Sequence, residues 1–226
     1  MTRPIRLAVS GTLAALLTLG AALRAVFLLW HPSFTLDFFD YASVLPHADS
    51  WYAMHFLVGA PGFVLLFASF AVVTVALCRL RPAAALLALL GGVVALIGAM
   101  AFAFGLAGEG AAWGWALDER VLDPSDGAVL LRGIEGRAAL TSLPIAIASV
   151  AIIPVGVLLQ LVALLVARSV PRLLPVATLV VLVVSALPLP VPGAVGVLIV
   201  LQSVALVLIG AVLVRREARQ PVPQPG

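Results

Sequence analysis

The residues best suited to chemistry in this chain are few and lie close together. The stretch "LPHADSWYAMH" (residues 45–55) holds His47, Asp49, Trp51, Tyr52 and His55, in a sequence otherwise dominated by Ala, Leu and Val. Imidazole and carboxylate together suit a borderline divalent ion, and an imidazole can also carry a proton or donate to a ligand. Spacing argues against one ion held by this string alone. On a helix, His55 lies six residues beyond Asp49, so the two project about 120° apart and about 9 Å along the axis. Helical metal motifs commonly use i, i+4 spacing, as in HExxH, and none occurs here. The string is therefore read as carrying no metal, with His47 and Asp49 the nearest approach to ligands. Asp49 or Ser50 is expected to cap a following helix, and His55 to share a helical face with Trp51, Gly59 and Gly62. Upstream, His31 and the acids of "DFFDYASVLPHAD" (37–49) are irregularly spaced and read as a solvated loop.

Arg24 and Glu109 are the other anomalies. Arg24 lies seventeen residues beyond Leu7, roughly 25 Å along a helix, which places a cation deep in an apolar span. Ionisable groups there are costly and usually paired. Glu109 follows the third apolar run at a similar depth, four residues after Gly105. The sequence predicts that Arg24 and Glu109 face each other, or share a polar outer cavity with Trp51 and His55. No catalytic residue is assigned. The chain lacks GxSxG, CxxC and P-loop patterns, and "GLAGEG" (105–110) follows an apolar run, not a strand. The single Cys78 excludes an internal disulfide. No cofactor is expected.

These residues must be positioned by an unusually apolar chain. Of its 226 residues, 63% are hydrophobic and 10% charged, with a mean hydropathy of +1.21. Soluble domains carry about 25% charged residues, so this composition cannot cover a water-facing surface. Six apolar runs, at about 7–30, 54–78, 83–108, 140–167, 173–188 and 193–214, approach the ~20 residues a helix needs to cross a bilayer. The first exceeds a signal-peptide core of about 7–15 residues and reads as a retained anchor. Prolines in "LPLPVP" (187–192) cannot continue a helix and separate the last two runs.

All 13 basic residues are arginines. Arg3, Arg6, Arg79, Arg81, Arg168, Arg172, Arg215, Arg216 and Arg219 fall on one side of the six spans, with Glu217 the one acid there. The other side carries the remaining acids outside the spans and both long loops, about 31–53 and 109–139. Under the positive-inside rule both termini are cytoplasmic, and residues 215–226 form a short cytoplasmic tail. Trp30, Trp51, Trp113 and Trp115 all fall on the outer side, at the level where aromatic rings favour the interface. Small residues recur every seven positions, notably Gly91, Gly98 and Gly105, and Gly62 and Ser69. That spacing predicts a left-handed bundle, with the third span near its centre. Pro61 and Pro154 should kink the second and fourth spans. Gln160 and Gln202 are expected to hydrogen-bond between helices.

The layout resembles that of six-span integral membrane proteins of high-GC bacteria, Ala/Leu/Val/Arg-rich with a His- and Trp-bearing first outer loop. The expected fold class is an all-α membrane protein, a six-helix left-handed bundle with two longer outer loops, forming one domain in the cell membrane. Its partners are the lipid bilayer and a membrane protein or second copy of itself, not nucleic acid. The expected role is that of a non-enzymatic accessory or small-molecule/lipid-binding protein with a polar outer-facing cavity. The alternatives are a small proton-coupled transporter with Arg24, Glu109 and His55 along its path, or an intramembrane redox or metal enzyme using outer-loop histidines.

Overall fold

The computed structural model describes residues 2–31, 44–135, 145, 147–185 and 194–220. The acids at 37 and 40, the proline run 187–192 and the first residues of the fourth apolar run lie outside it. Helix α1 (Arg3–Trp30) is followed, after the undescribed loop, by a 3-10 turn (Leu45–His47), α2 (Ala48–Ala53), a π-helical turn (Met54–Gly59) and α3 (Ala60–Cys78). Then come α4 (Pro82–Leu117), α5 (Pro124–Glu135), a second π-helical turn (Ala148–Ile152), α6 (Ile153–Ala167), α7 (Leu173–Ser185) and α8 (Ala194–Arg219). Among the described residues there is no strand. Arg3–Trp30, Leu45–Cys78, Pro82–Leu117 and Gly196–Arg219 are each long and apolar enough to cross a membrane, whereas α6 and α7 are shorter apolar helices. Their outward faces are apolar too: Leu29, Leu57, Phe104, Leu173 and Val180 are all exposed. A surface this apolar over its whole girth suits hydrocarbon rather than water.

The two π-helical turns have one cause. Each ends immediately before the first turn of a helix bearing Pro61 or Pro154. Proline donates no N–H and crowds the carbonyl four residues back. Widening the preceding turn to i+5 bonding accommodates both problems, as the Ala60 N–H bond to the His55 carbonyl shows. Just before Pro61 and Pro154, where kinks are expected, the chain forms these π-helical turns.

α1 packs against α3 and α8, α4 against α3 and α6, and α7 against α6 and α8. α4 meets the most elements, namely α2, α3, α5, α6 and both π-helical turns, whereas α3 meets the most of the other apolar helices, touching α1, α4, α6 and α8. The bulky side chains of the interior come from the second apolar run rather than the third. α3 fills the interior with Phe63, Leu66, Phe67, Phe70 and Val73, all buried. The glycine stripe of α4 works as a seam within that core. Gly91 faces the Gly156 carbonyl, Gly98 faces Ile153 and Gly105 faces Ile145, so α6 and the turn before it lie directly on the α4 backbone. On α1 the small residues Gly11, Thr18 and Ala25, also seven apart, do not mark the packed face, since Thr18 is exposed. The buried face instead runs Ser10, Leu17, Arg24 and His31, also seven apart.

One end of the bundle gathers the arginines. Arg3 Nη2 donates to the Ala218 carbonyl at 2.9 Å, which brings the two chain ends together. Arg79 Nη2 donates to Glu217 Oε1 at 2.7 Å, Arg81 Nη1 to the Val166 carbonyl at 3.0 Å and Arg216 Nη1 to the Leu77 carbonyl at 3.1 Å. The start of α1, the α3–α4 link, the end of α6 and the end of α8 therefore share one face, opposite the histidines.

Candidate metal centre

His31, His55 and Glu109 come from three separate stretches of sequence and meet at the other end. One ligand atom of each, two imidazole nitrogens and a carboxylate oxygen, lies within 4.8 Å of the others. His31 is the C-cap of α1, where its backbone N–H bonds to the Phe27 carbonyl at 2.8 Å and its backbone turns extended. His55 sits in the first π-helical turn. Glu109 lies within α4, because that helix runs on past the third apolar stretch to Leu117.

The tautomer of His55 follows from its hydrogen bond. Its Nδ1 lies 2.8 Å from the Trp51 carbonyl oxygen. A carbonyl can only accept, so Nδ1 carries the proton and Nε2 presents a lone pair. Nε2 is buried and has no hydrogen-bond partner among the described residues. A histidine whose one ring N–H is tied to a backbone carbonyl while the other nitrogen is bare is the form in which imidazole ligates metals.

The spacing fits an ion with little adjustment. Ligands at about 2.0–2.1 Å from zinc stand roughly 3.4 Å apart in a tetrahedron. Closing from within 4.8 Å takes side-chain movements of about an ångström. Two imidazoles and one carboxylate suit zinc, iron or copper better than calcium or magnesium, which prefer oxygen alone.

A shell of rings surrounds the three ligands. Trp51 lies over His55 with centroids 4.5 Å apart and stacks on Trp113 at 5.7 Å. Trp30 contacts His31, His47 and His55 at 6.1, 5.3 and 5.9 Å. Outside these, Trp51 and Trp113 join Val44, Ala116, Leu117 and Leu131 in a separate buried cluster. Leu131 belongs to α5, which begins at Pro124 within "DPSDG" (123–127). α5 thus lays one side chain over the tryptophans while Val129 stays exposed.

Below the ligands the site is closed by Phe27. Its ring meets His31 at 5.0 Å and His55 edge-on at 5.3 Å. Gly59 makes room for it, since a Cβ there would stand 2.7 Å from the Phe27 ring. Gly110 has the same role between α4 and the π-helical turn: a Cβ would lie 2.7 Å from His55 Cβ. The glycine beside Glu109 therefore sets how near the carboxylate comes to His55.

Arg24 belongs to a different constellation. It does not pair with Glu109. Nη1 donates to Gln202 Oε1 at 3.1 Å and to Ser203 Oγ at 2.9 Å, and Nη2 to Gln202 Oε1 at 3.2 Å. The guanidinium also lies over Phe63 and Phe67, 5.0 and 5.4 Å from the ring centroids. α1 turns Arg24 toward α8 because the packed face of α1 is the 10–17–24–31 stripe, and Gly62 lets α3 close to 2.7 Å of the Arg24 backbone nitrogen, measured from a would-be Cβ. Of the two amides, Gln202 links helices as expected, whereas Gln160 donates back to Gly156 in its own helix at 3.4 Å.

The remaining candidates fall at the rim. His47 is the N-cap of α2 with no side-chain capping bond, and Ser50 donates to the His47 carbonyl at 3.2 Å. Asp49 is in the first turn of α2, exposed, and does not cap it. His31, expected in a solvated loop, instead ends α1 and is buried. Its position seven residues beyond Arg24, on the stripe begun by Ser10 and Leu17, is the sequence signal for that burial. No known protein family, curated protein or solved structure matches this chain.

Proposed function

We propose that this is a cell-membrane protein of six spans, a left-handed bundle with cytoplasmic termini, that binds one divalent transition-metal ion at its outer face and retains it. The observation that carries the reading is the meeting of His31, His55 and Glu109 within 4.8 Å, with His55 Nε2 buried and without a hydrogen-bond partner among the described residues. Three protein ligands leave a position for water or a small ligand, the number common to catalytic zinc sites. The surrounding tryptophans keep that position apolar. Retention is favoured over passage by what lies beneath. Phe27 covers the inner side, and the Arg24 guanidinium sits seven residues further in, about 10 Å along α1. A fixed cation on that line opposes a dication moving inward. An accessory or binding role, rather than transport, fits this arrangement.

Metal analysis of the purified protein, stripped and then reloaded with Zn2+ or Co2+, tests the reading. One ion per chain is expected, with Co2+ giving visible absorption of a nitrogen- and oxygen-ligated centre. His55→Ala should abolish it and His47→Ala should not. Equal metal content in the native protein and His55→Ala would end the proposal. Zn2+ entry into proteoliposomes at a rate above empty vesicles would overturn retention.

A further inference from the structure

At the opposite end, a groove of about 440 Å³ opens between the α3–α4 link, the end of α6 and the end of α8. Its lining includes Arg81, Arg168 and Arg216, with Ser169 beside them and Leu77 and Leu80 forming an apolar wall. No carboxylate of the described residues lines it. The nearby acid, Glu217, is already engaged, bonded to Arg79 at 2.7 Å and 3.9 Å from Arg6. Three arginines therefore line one space, with no carboxylate of the described residues among its lining.

Two of the three are held in place by backbone. Arg81 gives one N–H to the Val166 carbonyl and Arg216 gives one to the Leu77 carbonyl. A guanidinium has five donors, so most of each fork remains for a ligand. Arg168 is held differently. It ends α6 in the left-handed region, φ 51 and ψ 37, and is the one non-glycine residue with positive φ among those described. Glycine is the usual occupant of that C-terminal position. An arginine kept there accepts backbone strain in exchange for placing its side chain at the mouth of the groove.

Planar, forked donors around a space lacking carboxylates match a tetrahedral oxyanion. The apolar wall of Leu77 and Leu80, at the ends of apolar helices, matches the start of an acyl chain. We infer that this groove is a phosphate-binding site, filled by the headgroup of an anionic phospholipid from the adjacent leaflet. The inference is independent of the metal centre.

Native mass spectrometry of the full chain, released from nanodiscs of phosphatidylcholine and phosphatidylglycerol in equal parts, tests it. The native protein should retain phosphatidylglycerol preferentially. Arg81→Gln and Arg216→Gln should each lower that preference several-fold, and Arg219→Gln, outside the groove, should leave it unchanged. Arg168→Gly guards against misfolding as an explanation, because it relieves the backbone while removing the guanidinium. It should melt at or above the native temperature and still lose the lipid. In phosphatidylcholine-only nanodiscs, inorganic phosphate is added while melting is followed. A phosphate-dependent rise that Arg81→Gln removes, without lipid preference, would support the phosphate site but transfer it to a soluble source. Equal phosphatidylglycerol retention by native protein, Arg81→Gln and Arg168→Gly, with no response to phosphate, would overturn the inference.

Discussion

Arg24 and Gln202, 178 residues apart in sequence, share a forked hydrogen bond inside the bundle, with Nη1 and Nη2 at 3.1 and 3.2 Å from one amide oxygen. Ser203 adds a third contact and two phenylalanine rings the rest. A buried guanidinium stripped of its acceptor bears its desolvation unrelieved. Gln202→Leu should therefore destabilise the fold by about 2–3 kcal/mol, the size of a hydrogen bond to a charged group. Arg24→Leu combined with Gln202→Leu should recover most of that loss, since both polar partners are then gone. Denaturation followed by tryptophan fluorescence of the native protein, Gln202→Leu, Arg24→Leu and the double variant checks it. Additive losses would show that the two residues are not coupled.

Metal binding should depend on the three converging side chains individually. His31→Ala and Glu109→Gln are each expected to weaken Co2+ binding by at least about tenfold, in line with the loss of ligands or their close supports. Affinity should fall on acidification, because protons compete with the metal for the imidazole and carboxylate ligands together. Co2+ titrations from neutral to mildly acid pH read both effects. Asp49→Asn should follow the native curve, as that carboxylate is exposed at the start of α2.

Gly110 and Gly108 offer a matched pair on α4. A methyl group at Gly110 meets His55 Cβ at 2.7 Å, whereas nothing lies within 4 Å of one at Gly108. Gly108→Ala should stabilise the helix by about 0.5–1 kcal/mol through lost backbone freedom in the unfolded chain. Gly110→Ala should destabilise it and weaken metal binding, because α4 and the π-helical turn must separate. Identical behaviour of the two variants would show that the close approach at Gly110 does not set the site.

Just past α4, Arg120 donates to both Asp118 carboxylate oxygens at 2.8 and 2.9 Å, and its backbone N–H adds a bond at 3.0 Å. The Arg120 side chain first, and its backbone next, hold the Asp118 carboxyl below the usual range. The small stabilisation is thus present above the ordinary aspartate range, about 3.9, and is lost as pH falls through the lower folded value. Arg120→Ala should raise the Asp118 titration midpoint, read by carbon-13 NMR, while scarcely moving the melting temperature, since the pair is exposed.

Much of the architecture was legible because the solvent imposes it. Runs such as Leu7–Trp30 can only be stable as helices in hydrocarbon. The arginines of the chain ends and short links do gather at one end, as Arg3 against Ala218 and Arg79 against Glu217 attest. The Gly91–Gly98–Gly105 seam was visible because small residues leave few other uses for their spacing. Boundaries were less legible. α4 runs to Leu117, where hydropathy alone ended it near 108, because glycine- and tryptophan-bearing turns continue a helix without being strongly apolar.

The sequence by itself determined the helical class, the apolar girth, the positions of the two proline-driven turns and the end at which charge collects, because each follows from local composition acting on backbone and solvent. Only the tertiary structure decided partners. It turned Arg24 to Gln202 rather than Glu109, and brought His31 to His55 and Glu109. The physical reason is rotation about the helix axis: spacing ranks the faces of a helix, but which face turns inward depends on the bulk of its neighbours. Here that was set by the phenylalanines of α3, which no pattern within α1 encodes.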